Sequence, residues 1–430
     1  MAMKEQAWLA GKWRWLIVVT FRKVWVRSVS FGLLGVVTAL AARPLARFIP
    51  PGVGERIGAQ AVDQVLDILA SSMLAVATFS LSITVSAFTA AASTATPRAA
   101  RLLQEDPTTQ NVLATFVGAF LFALVGIIAL HSGLYDDDGR LLLFASTIVV
   151  VGLVVAALLR WISHLMSFGR MGDTLARVER ATLQAVKARV AAPFLGGQPW
   201  HGAPPPGLEP LAAATTGYVQ HVDMQALAAC AVQADAELWL AALPGSFVHP
   251  CAPLLWWSGG QADDRTVRHL RAAFTCAGAR SYDQDPRFGL VVLAEIGSRA
   301  LSPAVNDPGT AIDVLGRLVR VLSRWEVQSD PEVFYPRVHV PAIAVPEMLE
   351  DGFRPLARDG AALVEVQRRL HKALIALATQ APEVFGAAAA QASDEALARA
   401  RGADLLEGEL SGLEALNAKL APYRRAAFVG

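Results

Sequence analysis

At 430 residues the chain is long enough to bury more than one core, but 54% of it is hydrophobic, only 17% is charged and the mean hydropathy is +0.40. That balance excludes an ordinary soluble globular protein. A formal net charge of +1 offers no basic field for nucleic acid, and three cysteines without CxxC spacing (Cys230, Cys251, Cys276) point to a reducing compartment with no disulfide framework.

The chain opens with "MAMKEQAWLAGKWRWLIVVTFRKVW". Its apolar run, Leu16–Thr20, is short and is followed by Phe21, Arg22 and Lys23 instead of a small-residue cleavage site, so a signal peptide does not fit. Residues 1–27 read as an amphipathic interfacial segment, with Trp13, Trp15 and Trp25 suited to the water–lipid boundary. Four apolar segments follow, at Ser28–Phe48, Leu66–Ala90, Val112–Leu130 and Leu141–Trp161. Each is long enough to cross roughly 30 Å of hydrocarbon.

Loop charges orient these spans. Lys4, Lys12, Arg14, Arg22, Lys23, Arg27, Arg98, Arg101, Arg160, Arg170, Arg177 and Arg180 fall on one side, against Arg43, Arg47, Arg56 and Arg140 on the other. The richer side is cytoplasmic by the positive-inside rule, which places both termini in the cytoplasm.

The second span carries the most information. Ser71, Ala75, Thr78, Ser82, Ser86, Thr89 and Ser93 recur every three or four residues. At about 100° per residue they fill a stripe roughly 80° wide, with Leu74, Phe79, Leu81, Ile83 and Phe88 off it. Such a face either packs closely against another helix or lines a water-filled path, and the spacing does not choose between the two. No span holds a mid-membrane Asp, Glu, Lys or Arg, which argues against a charge-relay transporter but not against a channel. In the third span, Ala114, Gly118, Ala119, Ala123 and Gly126 predict tight helix packing.

Beyond residue 165 the chain becomes polar. Residues 166–210 read as a charged helix (Ser167–Ala192) followed by a Pro/Gly linker, "PFLGGQPWHGAPPPGLEP". Residues 211–345 read as a cytoplasmic α+β domain with a small sheet: strands at Gly217–Val222, Glu237–Ala242 and Arg337–Val345, a helix at Met224–Ala234, and helical periodicity from Asp263 to Trp325. Residues 346–430 form a C-terminal helical region, with long helices at Asp359–Gln380 and Asp394–Leu420. The fold class is therefore a membrane α-helical region of four transmembrane helices plus a cytoplasmic α+β domain.

"RALSPAVNDPGTAIDVL", Arg299–Leu315, is the densest polar motif. Asp307-Pro308 matches a helix start, with Asp as N-cap and Pro at the first helical position, and Asp-Pro recurs at 106, 285 and 330. Ser302-Pro303 should end the preceding helix, which carries Glu295 and Arg299 one turn apart. A rigid corner is the structural expectation. The functional alternative is a small polar or cationic effector bound by Asn306, Asp307, Thr310 and Asp313. No histidine lies in the motif to act as a base, and His221, Asp223, His249 and Cys251 match no zinc spacing. Neither GxGxxG nor GxxxxGK[ST] follows a strand. No catalytic residue, cofactor or metal is expected, and the chain is not read as an enzyme.

Four stretches carry a resemblance: Thr96–Leu124, Gly217–Asp223, Pro244–Leu254 and, most specifically, "RALSPAVNDPGTA" at Arg299–Ala311. Through them the chain resembles the DUF2254 family of predicted bacterial membrane proteins from about residue 15 to 420, with Thr96 where the family pattern has Ser. The resemblance implies a membrane-helix-plus-domain plan and no activity.

The functional expectation is a homo-oligomeric channel or channel-like protein. Ser71, Thr78, Ser82, Ser86, Thr89 and Ser93 would line its pore, Arg98 and Arg101 would stand at the inner mouth, and the cytoplasmic domain would assemble and gate it. The alternative is a non-conducting membrane scaffold or sensor whose cytoplasmic domain binds a ligand or protein partner. The expected partners are the lipid bilayer, further copies of the chain and an ion or small polar effector, without nucleic acid.

Overall fold

The computed structural model describes residues 61–428 except 105, 133–136, 167–168, 260–262 and 328–330, together with Val26, Val29, Leu33, Val36 and Val37. Apart from those five helical positions, the amphipathic segment and the first predicted span lie outside the described residues. The chain divides after Thr174 into two compact units.

The first unit is helical. Helix α1 spans Val62–Thr94, α2 Pro97–Gln104, α3 Pro107–His131 and α4 Asp137–Leu165. Among the described residues three helices are long and apolar enough to cross a membrane: α1, α3 and α4. They match the second, third and fourth expected spans and overrun each by a few residues.

The core of this unit lies along α3. Val62, Leu66, Leu69, Met73, Ala77 and Ser80 recur at three and four residues, forming the buried face of α1. They cluster with Val112, Phe116, Ala119, Phe122 and Ala123 of α3. The expected small-residue packing on α3 is observed: Ala114, Gly118, Ala119, Ala123 and Gly126 are all buried. A Cβ added at Gly126 would come within 3.0 Å of Leu66, so a larger residue there would push α1 away. The break between α1 and α2 comes at Ala95 (φ −98°, ψ −118°), ahead of Pro97 at the start of α2.

The second unit is α+β. It opens with α5 (Met171–Ala191), followed by β1 (Gly197–Trp200), β2 (Glu209–Ala212), β3 (Gly217–Val222), α6 (Met224–Gln233), β4 (Leu238–Leu240), β5 (Phe247–Val248), β6 (Pro253–Trp257), α7 (Asp264–Ala272) and β7 (Phe274–Ala277). Then come α8 (Pro286–Ala300), α9 (Pro308–Leu322), β8 (Tyr335–Pro341), α10 (Val345–Asp359), α11 (Val364–Gln380), α12 (Pro382–Arg401) and α13 (Glu407–Ala418). The strands make two sheets: a five-stranded one, ordered β1-β8-β4-β6-β2, and a three-stranded one, β5-β3-β7. In the larger sheet β8 runs parallel to both β1 and β4, and the remaining pairs are antiparallel. Leu238, Leu240, Val338 and Val340 turn one face of it into a core closed by Leu227 and Ala231 of α6.

Several expectations need correction. The Pro/Gly linker at 193–210 is not a plain boundary, because it supplies β1 and β2. Both are four-residue strands whose Pro content hides them from a propensity reading. The helical stretch from Asp263 to Trp325 contains β7, four residues between α7 and the Asp285 turn. The long helix expected at Asp394–Leu420 is two, α12 and α13, parted near Gly402. Asp-Pro starts a helix at 106, 285 and 307. The fourth instance does not, since Pro331 lies in irregular chain before β8 and Asp330 is outside the described residues.

Aspartate N-caps recur through both units. Asp106, Asp223, Asp263, Asp285 and Asp307 each accept a hydrogen bond from the backbone N–H three residues on. Each satisfies a donor that the first helical turn leaves unpaired.

Helix α5 is anchored at three points along its length. Just before its midpoint Glu179 accepts bonds from Arg317 at 2.6 Å and from Arg320 at 2.6 and 3.0 Å, both on α9. At its middle Thr182 lies against Gly289 of α8, where an added Cβ would fall 1.9 Å from the threonine Oγ1. At its end the buried Arg189 donates to the carbonyl of Gln284 at 3.1 Å, and burial lowers its pKa to about 10 against the pull of Asp285.

Candidate functional site

The hydroxyl stripe of α1 stands on the side of the helix away from its packed face. Ser71, Ala75, Thr78, Ser82, Ser86 and Thr89 are all exposed, while α3 and α4 take the Leu66–Met73–Ala77–Ser80 face. The side chain of Ser93 lies outside the described residues. The stripe is therefore not used for packing among the described helices of one chain.

Four of its hydroxyls are satisfied locally. Ser71, Thr78, Ser82 and Thr89 donate to the carbonyls of Asp67, Leu74, Thr78 and Val85, four residues back, at 2.8–3.1 Å. This back-bonding removes the cost of an unpaired donor in an apolar setting and leaves the oxygen lone pairs available. Asp67 precedes Ser71 by four residues, is exposed on the same face and heads the row. Its spacing of four residues from Ser71 is the sequence signal that joins it to the stripe.

At the other end of α1, Arg98 and Arg101 are exposed on α2, and Ala99, Ala100 and Leu103 are buried on its opposite face. Next to them lies a pair that no local motif announces, Asp106 with His164. Asp106 caps α3 through Thr109, whose Oγ1 donates to the same carboxylate at 2.7 Å. His164 near the end of α4 brings its Nε2 within 3.0 Å of that carboxylate. A buried carboxylate, a hydroxyl and an imidazole thus tie the start of α3 to the end of α4. The two partners are 58 positions apart in sequence, so spacing alone could not have joined them.

The motif Arg299–Leu315 forms the corner between α8 and α9. Helix α8 ends at Ala300 with Leu301 as its C-cap, and Asp307 donates its N–H back to the carbonyl of Ala300 at 2.8 Å. Asn306 takes a positive φ of 48°, a left-handed conformation that asparagine tolerates better than most residues. Asp307 accepts from both the N–H and the Oγ1 of Thr310, at 3.0 and 2.6 Å. Those bonds hold its pKa below the usual carboxylate range, despite slight burial.

The corner does not gather its oxygens around a common centre. Asp307 and Thr310 bond each other, and Asp313 turns to Arg317 at 3.0 Å. Pro303, Ala304, Val305, Asn306 and Asp307 are exposed, Ser302 is partly so, and Glu295 and Arg299 sit on the last turns of α8, half-buried and exposed. Behind the corner, burial pushes the Glu179 carboxyl up while Arg320 and Arg317 more than reverse it, so its pKa lies below normal.

His221 and Asp223 lie at the end of β3 and His249 and Cys251 in the turn before β6, and Asp223 is spent on capping α6. Among the described residues no three His, Cys, Asp or Glu side chains come together as metal ligands.

The family described as "Predicted membrane protein (DUF2254)" matches residues 22–376 of this chain. Uncharacterized proteins of Mycobacterium tuberculosis and Mycobacterium bovis are 30% identical to it over 277 residues, 60% of this chain and 51% of each relative. The match thus spans about half the length of those relatives. No solved structure matches. The chain belongs to the DUF2254 family of predicted membrane proteins.

Proposed function

We propose that this DUF2254 protein is a homo-oligomeric channel, or channel-like protein, of the bacterial inner membrane. In this reading four spans cross the bilayer, both termini are cytoplasmic, and copies of α1 turn their hydroxyl stripes toward a shared path. The α+β unit assembles and gates it. The observation that carries the reading is the exposure of Ser71, Thr78, Ser82, Ser86 and Thr89 opposite the packed face of α1. Facing lipid tails, the back-bonded hydroxyls of the stripe would leave their lone pairs unused. Meeting other copies around water supplies partners for its free lone pairs and replaces part of an ion's hydration. Arg98 and Arg101 stand at the inner mouth and act on anions or headgroups there.

The test is single-channel recording of the purified protein in a planar bilayer under a KCl gradient, with Ser82→Trp as the blocked control. Discrete openings in the wild type that vanish in an assembled Ser82→Trp protein support the pore. Unchanged flux through that variant removes α1 from the path.

A second reading rests on a different observation, the exposed corner with Val305 46% accessible beside left-handed Asn306. An ordered, projecting, apolar-tipped turn suits a docking surface, and in that reading the protein is a non-conducting scaffold or sensor. Silent bilayers with folded, oligomeric protein favour it.

A further inference from the structure

One face of the five-stranded sheet has no part in the proposals above. Its opposite face is the core closed by α6. Because side chains alternate along a strand, the residues between Leu238 and Leu240, between Val338 and Val340, and just before Trp257 turn away from that core. They are Trp239, His339 and Trp256. Strand register aligns them in a single row across the sheet: Gln198 on β1 pairs with His339, His339 with Trp239, Trp239 with Trp256, and Trp256 with Pro210 on β2.

The rings are organised rather than merely adjacent. Trp239 and His339 stack with centroids 4.6 Å apart and planes 5° from parallel. Trp200, at the end of β1, reaches over the face to Trp256, with centroids 5.8 Å apart and planes at 78°. All four rings remain partly exposed. Glu237 lies two residues before Trp239, on the same side of the chain, and its carboxylate is 2.9 Å from His339 Nε2 with 41% of the side chain accessible. Arg337 is the only Lys or Arg in the five strands, and Asp235 accepts from it at 2.8 Å.

The charge pattern discriminates between ligand classes. A polyanion that stacks its bases on aromatic rings also needs free cations for its phosphates, and these strands offer only one guanidinium, already paired. The faces of indole rings are the negative end of a quadrupole, and tryptophan is the strongest of the aromatic residues in attracting a cation. Two indoles near a right angle present two such faces, and the carboxylate of Glu237, in contact with His339 but 41% accessible, adds an acceptor of the same polarity beside them. We propose that Trp200, Trp239 and Trp256, with Glu237, form a binding site for an organic cation of the alkylammonium or quaternary ammonium class.

Choline is a suitable probe, titrated calorimetrically into the full chain in phosphatidylglycerol nanodiscs, with empty nanodiscs subtracted. Maltohexaose and an oligo-dT serve as neutral and polyanionic comparators. The expected result is saturable choline binding, weakened about tenfold by Trp239→Ala and much less by Trp239→Phe, which keeps an aromatic face. Glu237→Gln should weaken it several-fold with the far-ultraviolet circular dichroism unchanged. The proposal is overturned by folded protein that does not bind choline, by affinity indifferent to both Trp239→Ala and Glu237→Gln, or by binding of maltohexaose or oligo-dT in place of choline.

Discussion

Two helical regions of this protein bury apolar faces and also carry polar side chains, and they use those side chains in opposite ways. Along α1 the exposed Ser71, Thr78, Ser82 and Thr89 donate to carbonyls of their own helix, as with Thr78 to Leu74 and Ser82 to Thr78. Across α11, α12 and α13 the polar atoms bond each other. His371 Nδ1 lies 2.7 Å from Ser393 Oγ, Asn417 donates to Ser393 at 3.0 Å and to Asp394 at 2.7 Å, and Arg424 donates to Asn417 at 2.6 Å. His371 and Ser393 are fully buried. A side chain on an exposed face that is satisfied by its own backbone has no tertiary commitment and can be changed, wetted or shared with another copy. One satisfied by a neighbouring helix fixes that helix's position and cannot move without stranding its partner.

The contrast makes graded predictions. The largest effect belongs to the tightest commitment, where Gly289 of α8 meets Thr182 of α5. Gly289→Ala should cost about 3 kcal/mol despite alanine's better helix propensity, because its Cβ has no room. Urea unfolding of the purified protein reads this, and adding Thr182→Ala should recover most of the loss; an unchanged midpoint in the single variant would mean the crossing is looser than it looks.

Next comes pH. Burial lowers the His371 pKa from 6.5 to about 4, only partly opposed by Asp394. Below pH 6.5 the unfolded chain takes up a proton that the folded chain refuses until about pH 4, so stability falls as pH drops across that window. Between pH 7 and pH 5 the loss should be about 2 kcal/mol. Unfolding midpoints measured at both values should diverge in the wild type and draw together in His371→Gln. Equal slopes in the two proteins would remove His371 as the cause.

Smaller still is the corner. Asp307→Ala should cost about 1 kcal/mol through the lost N-cap, and Asp307→Asn only a few tenths. A loss of function in Asp307→Asn at full stability would show that the carboxylate does more than cap. Smallest is the stripe itself, where alanine at Ser71, Thr78 or Ser82 should change stability by less than about 0.5 kcal/mol each. Losses well above that in the isolated protomer would show the stripe to be committed packing after all.

How far this plan could be read from the residues depended on how local each signal was. Spans α3 and α4 declare themselves by apolar length, and the caps at Asp106, Asp285 and Asp307 by a dipeptide whose meaning is contained in one turn. The periodicity of α1 exposed two faces but not which one packs, since that depends on Phe116 and Phe122 arriving from another helix. The same holds for Asp106 with His164, for the His371 network and for the aromatic row. Each is assembled from residues that look unremarkable singly and acquire chemistry only by juxtaposition. Strands β1, β2 and β7 escaped notice because four residues bearing Pro or Gly, or lying between two helices, carry almost no periodicity of their own.

The strand order also says something about how the protein is made. Strand β8 lies between β1 and β4, yet it leaves the ribosome only after α7, α8 and α9 have been synthesised. At roughly 5–20 residues per second, β1 and β4 wait seconds with their inner edges unpaired. Exposed strand edges recruit other strands, so in this interval the nascent chain is most open to aggregation and to holdase chaperones. A chain released before residue 335 lacks the strand that joins the two halves of the sheet, and premature termination there yields a protein with its helical spans made and its sheet in two pieces.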